Sequence, residues 1–121
     1  MAKNILLVED DEPLAAALGT IVEQAGYRVT VVSHFEHALN VLESDAIDLL
    51  VTDIVMPKSI NGLALSRMAR MRRPTLPVVY MTAYDISGVD RQVLGEVLRK
   101  PVDREMLLDA IERAVQPTEP S

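Results

Sequence analysis

The chain has 121 residues, which is enough for one domain, and carries a net charge of −6. The acidic balance and an aromatic content of only 3% argue against a general nucleic-acid-binding surface. The absence of cysteine excludes disulfides and thiolate metal sites. With no signal peptide and no apolar run near the ~20 residues of a membrane span, a cytoplasmic protein without membrane contact is expected.

Strands and helices are predicted to alternate from the N-terminus. Asn4–Val8 is a short, mostly apolar run typical of a buried strand, and it is followed directly by the acids Glu9 and Asp10. Asp11 and Pro13 favour the start of a helix and Gly26 favours its end. The apolar residues between them recur at helical spacing: Leu14, Leu18, Ile21, Val22 and Ala25.

The second strand is predicted at Tyr27–Val32, followed by a helix through Phe35, Leu39 and Leu42. The segment Ile47–Pro57 (IDLLVTDIVMP) then begins with an apolar run that is too short for a helix, so it predicts a strand buried on both faces. This run ends at Asp53. A charge there is costly unless it is paired, which makes Asp53 the first candidate for chemistry. The structural alternative is a carboxylate that caps the next turn.

The second half continues with a loop over Lys58–Asn61 and a helix from Gly62 that ends among arginines before Pro74. We interpret these arginines as structural, because basic residues suit the negative end of a helix dipole. The alternative interpretation is a patch that binds a partner. The remaining predicted elements are a strand at Pro77–Thr82, a weak helix at Asp85–Leu94, a strand at Glu96–Arg99 and a helix capped by Asp103. We expect residues 1–116 to form the domain and 117–121 a disordered tail.

This alternation of five strands and five helices predicts an α/β fold, a doubly wound parallel sheet with helices on both faces. In a parallel sheet the carboxyl ends of the strands lie at one edge. The residues that end or follow four of the five strands are polar or charged: Glu9, Asp10, Asp53, Thr82 and Lys100.

Such an edge would bring three carboxylates together. Two of them ~4 Å apart repel by about 4 kcal/mol at an effective dielectric constant of ~20, so a proton or a cation is required. Oxygen ligands that leave room for water favour Mg²⁺. A Mg²⁺ site opposite the Lys100 ammonium would suit a phosphoryl group, and Asp53 between them would be the nucleophile that forms an aspartyl phosphate.

Four motifs in this order carry a resemblance to a known family. They are the acidic pair Glu9–Asp10, the D-x-x-M-P stretch that begins at Asp53, Thr82–Ala83, and Lys100–Pro101. The chain resembles the receiver domain of two-component response regulators from Lys3 to about Val115. The resemblance implies a five-stranded, flavodoxin-like three-layer sandwich with strand order 2-1-3-4-5.

The resemblance also implies roles for individual residues. Asp53 corresponds to the phosphoacceptor, Thr82 to the switch hydroxyl and Lys100 to the phosphate-pairing lysine, which often precedes a cis proline bond. The Mg²⁺ ligands would be Glu9, Asp10, Asp53 and the backbone carbonyl of Val55. Asp11 matches no family role and is interpreted as a helix-start charge, with metal binding as the alternative.

The implied function is a phosphorylation-driven switch rather than a turnover enzyme. A histidine kinase or phosphotransfer protein would donate the phosphoryl group, and a downstream protein would receive the output. The chain would be a single-domain regulator or part of a longer one. A receiver that binds partners without phosphorylation is one alternative. The others are a haloacid-dehalogenase-type phosphatase, which needs an acid where Val55 stands, and a flavodoxin-like nucleotide binder, whose phosphate the acids would repel.

The sequence departs from the family pattern at several positions. Val97 stands where the switch aromatic residue is usual, which argues against the usual Thr–aromatic coupling. Thr82 and Lys100 are only 18 residues apart, which predicts a short or irregular fourth helix, and Gly62 follows Asp53 by nine residues, one more than is usual. Val55 and Tyr84 occupy the positions that tune phosphoryl lifetime, and their bulk predicts slow self-dephosphorylation.

Overall fold

The computed structural model describes residues 2–44, 46–54, 62–83 and 95–116. The strands are β1 (Asn4–Val8), β2 (Arg28–Val32), β3 (Leu49–Asp53), β4 (Val78–Thr82) and β5 (Glu96–Arg99). The helices in these ranges are α1 (Glu12–Gln24), α2 (Phe35–Ser44), α3 (Gly62–Arg72) and α4 (Arg104–Val115). The predicted loop Lys58–Asn61, the weak helix Asp85–Leu94 and the tail 117–121 lie outside the described residues.

The five strands form one parallel sheet with the order β2-β1-β3-β4-β5. The predicted fold class and strand order are therefore confirmed. Each observed strand begins within two residues of its predicted start. Ile47 precedes β3 instead of opening it, but its side chain is buried.

The sheet is covered on both faces by apolar side chains, which explains the unbroken apolar runs of its central strands. All five residues of β3 and of β4 are buried, whereas the edge strands β2 and β5 are partly exposed. One core packs α2 and α3 against Leu6, Leu50 and Tyr80. The other core packs α1 and α4 against Leu7 and Val51. This arrangement is the doubly wound sandwich.

Local hydrogen bonds fix the ends of two helices as the sequence predicts. Asp11 is the N-cap of α1, because its Oδ1 accepts a hydrogen bond of 3.1 Å from the backbone N–H of Leu14. Asp103 caps α4 in the same way, accepting from the N–H of Met106 at 2.8 Å. Beyond α1 the chain turns at Gly26, whose φ of 99° favours glycine. Across the described ranges, no helix has the length and hydropathy needed to cross a bilayer.

Candidate functional site

The carboxyl ends of β1, β3, β4 and β5 meet at one edge of the sheet and deliver the polar residues there. Glu9 directly follows β1, Asp53 is the last residue of β3, and Lys100 directly follows β5. The backbone continues the pairing past the strands, because the Ile54 N–H donates to the Met81 carbonyl at 2.9 Å. The positions of these side chains thus follow from the parallel register.

Three acids converge at this edge. Carboxylate oxygens of Glu9, Asp10 and Asp53 all lie within 4.8 Å of one another. Glu9 is 0% exposed and Asp53 is 5% exposed, whereas Asp10 is exposed to solvent. Two acids of the cluster are therefore buried, and the third lies at the solvent-exposed edge of the cluster. Their mutual repulsion requires a compensating positive charge or protonation of at least one acid.

Lys100 supplies a positive charge inside the cluster. Its Nζ donates hydrogen bonds of 2.9 Å to Glu9 Oε2 and 2.9 Å to Asp53 Oδ2. Burial alone would lower the pKa of Lys100, but the hydrogen bonds to these two carboxylates outweigh burial and raise it. The lysine thus stays protonated and holds the two buried acids together.

Glu9 is the perturbed acid of the cluster. Burial raises the pKa of Glu9 to about 7, the nearby Asp53 charge acts in the same direction, and the Lys100 ammonium opposes both. Near neutral pH this carboxyl is therefore divided between its neutral and ionised forms. A divalent cation would favour the ionised form, so its binding should release a proton.

Thr82 is buried at the end of β4, 1% exposed, beside the strand that delivers Lys100. The Lys100 backbone N–H donates to the Thr82 carbonyl at 2.8 Å, which fixes the two chain segments together. The bond between Lys100 and Pro101 is cis, as the resemblance implies. Val55, whose carbonyl is the fourth predicted metal ligand, lies outside the described residues.

Sequence reasoning missed how closely Gly62 packs against the phosphoacceptor candidate. The Gly62 N–H donates to the Ile54 carbonyl at 2.8 Å, and a Cβ on Gly62 would lie 2.0 Å from the Asp53 carbonyl oxygen. The Thr52 hydroxyl donates to that same oxygen at 3.0 Å. The α3 N-terminus therefore helps to hold the Asp53 backbone. A glycine at the predicted helix start was the only clue in the sequence.

An apolar cavity of about 380 Å³ opens beside Lys100. It lies between the start of α1, the end of β4 and the segment after β5. Its lining residues are Leu14, Leu18, Met81, Ala83, Lys100, Pro101 and Val102. The acidic cluster therefore adjoins an apolar surface that a partner side chain could enter.

Comparison with known proteins decides the family. The model of the response regulator receiver domain matches residues 5–112, which is most of the chain. The chain belongs to this family. This finding sets aside the dehalogenase-type phosphatase and the nucleotide binder. Receiver domains interact with histidine kinases or phosphotransfer proteins and are generally not turnover enzymes.

Two relatives differ in their own length. The chain is 39% identical to the response regulator protein FleR of Pseudomonas aeruginosa over 93% of this chain but only 24% of FleR. It is 34% identical to the response regulator receiver protein CpdR of Brucella abortus over 92% of this chain and 95% of CpdR. The chain thus spans about a quarter of one relative and nearly all of the other.

A solved structure supports the fold and the metal chemistry. The response regulator TrrA of Thermotoga maritima, solved in complex with Mg²⁺ and BeF, superimposes with a TM-score of 0.82. It is 25% identical, and the match covers 93% of this chain and 98% of that one. The all-oxygen donor set of Glu9, Asp10 and Asp53 fits the Mg²⁺ binding of such receivers.

Substitution of Asp11 tests whether its side chain caps α1 or binds the metal ion. Because Asp11 caps α1 and lies outside the acidic cluster, Asp11→Ala is expected to lower the free energy of unfolding by ~1 kcal/mol. Its Mg²⁺ affinity should stay within about twofold of the unsubstituted protein, since no ligand is lost. Urea unfolding and Mg²⁺ titration measure the two effects. A large loss of Mg²⁺ affinity in Asp11→Ala, equal to that in Asp10→Asn, contradicts the capping role.

The raised pKa of Glu9 predicts a pH dependence of both stability and metal binding. The pKa is above its ordinary value, so stability from this group is complete below pH 4.5 and is lost as the pH rises through about 7. The metal-free protein should therefore lose on the order of 2–3 kcal/mol of unfolding free energy from this group across that window. Mg²⁺ affinity should rise over the same range, by up to about tenfold per pH unit.

Glu9→Gln is the matched control for this pH dependence, because glutamine keeps the shape without the ionisation. Isothermal titration with Mg²⁺ at a series of pH values should give weaker binding by Glu9→Gln and a flatter pH profile between pH 5 and 7. If the two proteins share the same profile, Glu9 is not the group that titrates.

Proposed function

We propose that this chain is a phosphoacceptor receiver in which Asp53 accepts a phosphoryl group from a phosphohistidine of a histidine kinase or phosphotransfer protein. The observation that carries the proposal is the placement of Asp53. Its carboxylate is buried at the end of β3, 2.9 Å from the Lys100 ammonium and within 4.8 Å of two further acids. Phosphoryl transfer needs both charge neutralisation and a positioned nucleophile.

The phosphoryl transfer needs no reactant other than Asp53 and the phosphohistidine donor. An Asp53 carboxylate oxygen forms the bond to phosphorus while the bond between phosphorus and the donor imidazole nitrogen breaks, and that nitrogen keeps the electron pair. Glu9, Asp10, Asp53 and the Val55 carbonyl would hold Mg²⁺, which when bound offsets the negative charge of the phosphoryl oxygens. Lys100, already paired with Asp53, would pair with another phosphoryl oxygen.

The donor would approach from the side of the apolar cavity next to Lys100. This cavity is bordered by Leu14 and Leu18 of α1 and by Pro101 after β5. A helix that carries the phosphohistidine could place an apolar side chain there and fix the approach of the phosphoryl group to Asp53. Orientation of the donor would thus come from packing, and specificity from residues around the cavity.

Phosphorylation would change a surface that a downstream protein recognises. The new charge would draw the Thr82 hydroxyl toward the phosphoryl group and shift the population of conformations near the end of β4. Val97 replaces the usual aromatic residue of the family. It is half-buried and packs against the core that contains Tyr80. This replacement is the observation that favours the second candidate, a receiver-like binding module that works without phosphorylation.

The proposal is tested by incubating the protein with acetyl phosphate and Mg²⁺ and measuring its intact mass. The unsubstituted protein and Asp109→Asn, which alters an exposed acid of α4, should each gain one phosphate. Asp53→Asn, or any of these proteins after chelation of Mg²⁺, should gain none. A binding module that needs no phosphorylation predicts no gain in any of them.

The rate of self-dephosphorylation is predicted from the sequence alone, because the two residues concerned, Val55 and Tyr84, lie outside the described residues. An apolar residue and a bulky ring should hinder the water that attacks the aspartyl phosphate. We therefore expect slow self-dephosphorylation, measured as loss of the phosphorylated mass after removal of the donor. A half-life of only seconds in the presence of Mg²⁺ would refute this expectation.

A further inference from the structure

The outward side of α3 exposes two large hydrophobic residues to solvent. The large hydrophobic residues that stand exposed there and elsewhere in these ranges are Val31, Met68 and Met71. Two of them lie on α3, three residues apart and therefore on the same side of the helix. Met71 is 83% exposed. Exposed methionines on a helix are typical of surfaces that adapt to a protein partner.

The same helix concentrates positive charge in an acidic protein. Of the 12 Lys and Arg residues, four occur within the seven residues 67–73, and no acid occurs between Gly62 and Leu76. The chain as a whole carries −6. We define the α3 basic face as Arg67, Met68 and Met71, which are exposed and lie on one side of the helix. Arg73 directly follows α3 and is also exposed.

Local structure explains only part of this charge. Arg70 Nε donates to the Leu76 carbonyl at 3.2 Å, and Arg72 forms an ion pair of 2.7 Å with Glu43 of α2. Arg67 and Arg73 form no ion pair with another residue of the described ranges. The helix dipole acts within the last turn, so it does not account for Arg67 near the middle of α3.

The opposite side of α3 is firmly anchored. Leu65 and Ala69 are buried in the core, and the Tyr80 hydroxyl donates to Ser66 Oγ at 2.7 Å. Ser66 Oγ in turn donates to the Leu63 carbonyl at 2.9 Å. The α3 basic face is therefore presented on a fixed helix, which lowers the entropy cost of binding.

We propose that the α3 basic face binds an acidic amphipathic helix of a partner protein. The two methionines would contact the apolar stripe of that helix, and Arg67 would pair with a carboxylate that flanks this stripe. A short acidic segment suits this face better than a long polyanion, because the remainder of the protein is strongly acidic. This binding does not depend on phosphorylation of Asp53, so it is tested on the unphosphorylated chain.

The probe is a synthetic 18-residue helical peptide with leucines at positions i, i+3, i+4 and i+7, glutamates on the flanks of this stripe and alanines elsewhere. A matched peptide carries lysine in place of every glutamate. Titration of ¹⁵N-labelled protein followed by NMR should show saturable shifts confined to α3 and its neighbours with the acidic peptide alone. Arg67→Glu should weaken binding by about tenfold or more, and Met71→Gln by about threefold or more.

Arg28→Glu is the matched charge control, because Arg28 is an exposed arginine on the distant edge strand β2. It should leave the affinity within about twofold, and thermal unfolding should show that every variant is folded. Equal binding of both peptides, shifts centred away from α3 and its neighbours, or an equal loss in Arg28→Glu overturns the proposal.

Two further measurements test other occupants of the α3 basic face. Binding to phosphatidylglycerol vesicles that exceeds peptide binding, or self-association in sedimentation that is lost in Arg67→Glu, would assign the face to a membrane or to a second copy. Either result contradicts the proposed partner.

Discussion

Replacing Lys100 with methionine is expected to reduce phosphorylation of Asp53 by about 100-fold or more, the loss typical of removing one charge-stabilising donor from a transition state. Methionine keeps most of the side-chain volume but removes the ammonium that bonds to Asp53 and Glu9. The two buried acids are then left without their positive partner. The free energy of unfolding should fall by about 3 kcal/mol at pH 8, and by less at pH 5, where Glu9 is protonated.

The rate of mass gain from acetyl phosphate and urea unfolding at the two pH values measure these effects. Arg99→Met is the matched control, because Arg99 is the exposed neighbour on the same strand. It should change the rate and the stability little. A Lys100→Met protein that is phosphorylated at the original rate shows that Lys100 has no part in the transfer.

Replacing Gly62 with alanine is expected to disturb Asp53 through its backbone. The added Cβ would lie 2.0 Å from the Asp53 carbonyl oxygen and 3.0 Å from Thr52 Oγ1. Neither α3 nor β3 can move without disturbing the core, so the protein should lose about 1–3 kcal/mol of unfolding free energy. Phosphorylation should slow as well, because small displacements of a reacting group are costly.

Gly19→Ala provides the control for this substitution, since Gly19 is also a buried glycine within a helix. A Cβ at Gly19 would approach Val31 Cγ2 at 2.8 Å, the end of a partly exposed side chain that can rotate away. We expect a smaller loss of stability and an unchanged rate of phosphorylation. Equal effects of the two substitutions would show that the contact of Gly62 with Asp53 has no particular importance.

The sequence predicted the fold and the gathering of the acids because both depend on local patterns. Short apolar runs such as Asn4–Val8 are typical of strands, and the alternation of these strands with helices predicts a parallel sheet. That topology alone placed Glu9, Asp53 and Lys100 at one edge. The observed register then brought Lys100 within hydrogen-bond distance of both acids.

The sequence could not predict contacts that depend on packing between distant elements. The position of Gly62 against Asp53 is set by how α3 docks on the sheet, and the bond from Tyr80 to Ser66 joins residues 14 apart. Periodicity likewise gave no means of ranking the acids. It could not show that Glu9 is buried and paired with Lys100 whereas Asp10 is exposed.

The chemical position of the phosphoryl group tests the account most directly. Borohydride reduces an aspartyl phosphate to homoserine, so the protein treated with acetyl phosphate and Mg²⁺ is reduced, digested and sequenced by mass spectrometry. The account predicts homoserine at residue 53 and at no other acid, and none when Mg²⁺ is withheld. Homoserine at Asp10, the longer alcohol 5-hydroxynorvaline at Glu9, or an unmodified Asp53 in a protein that has gained phosphate, would contradict it.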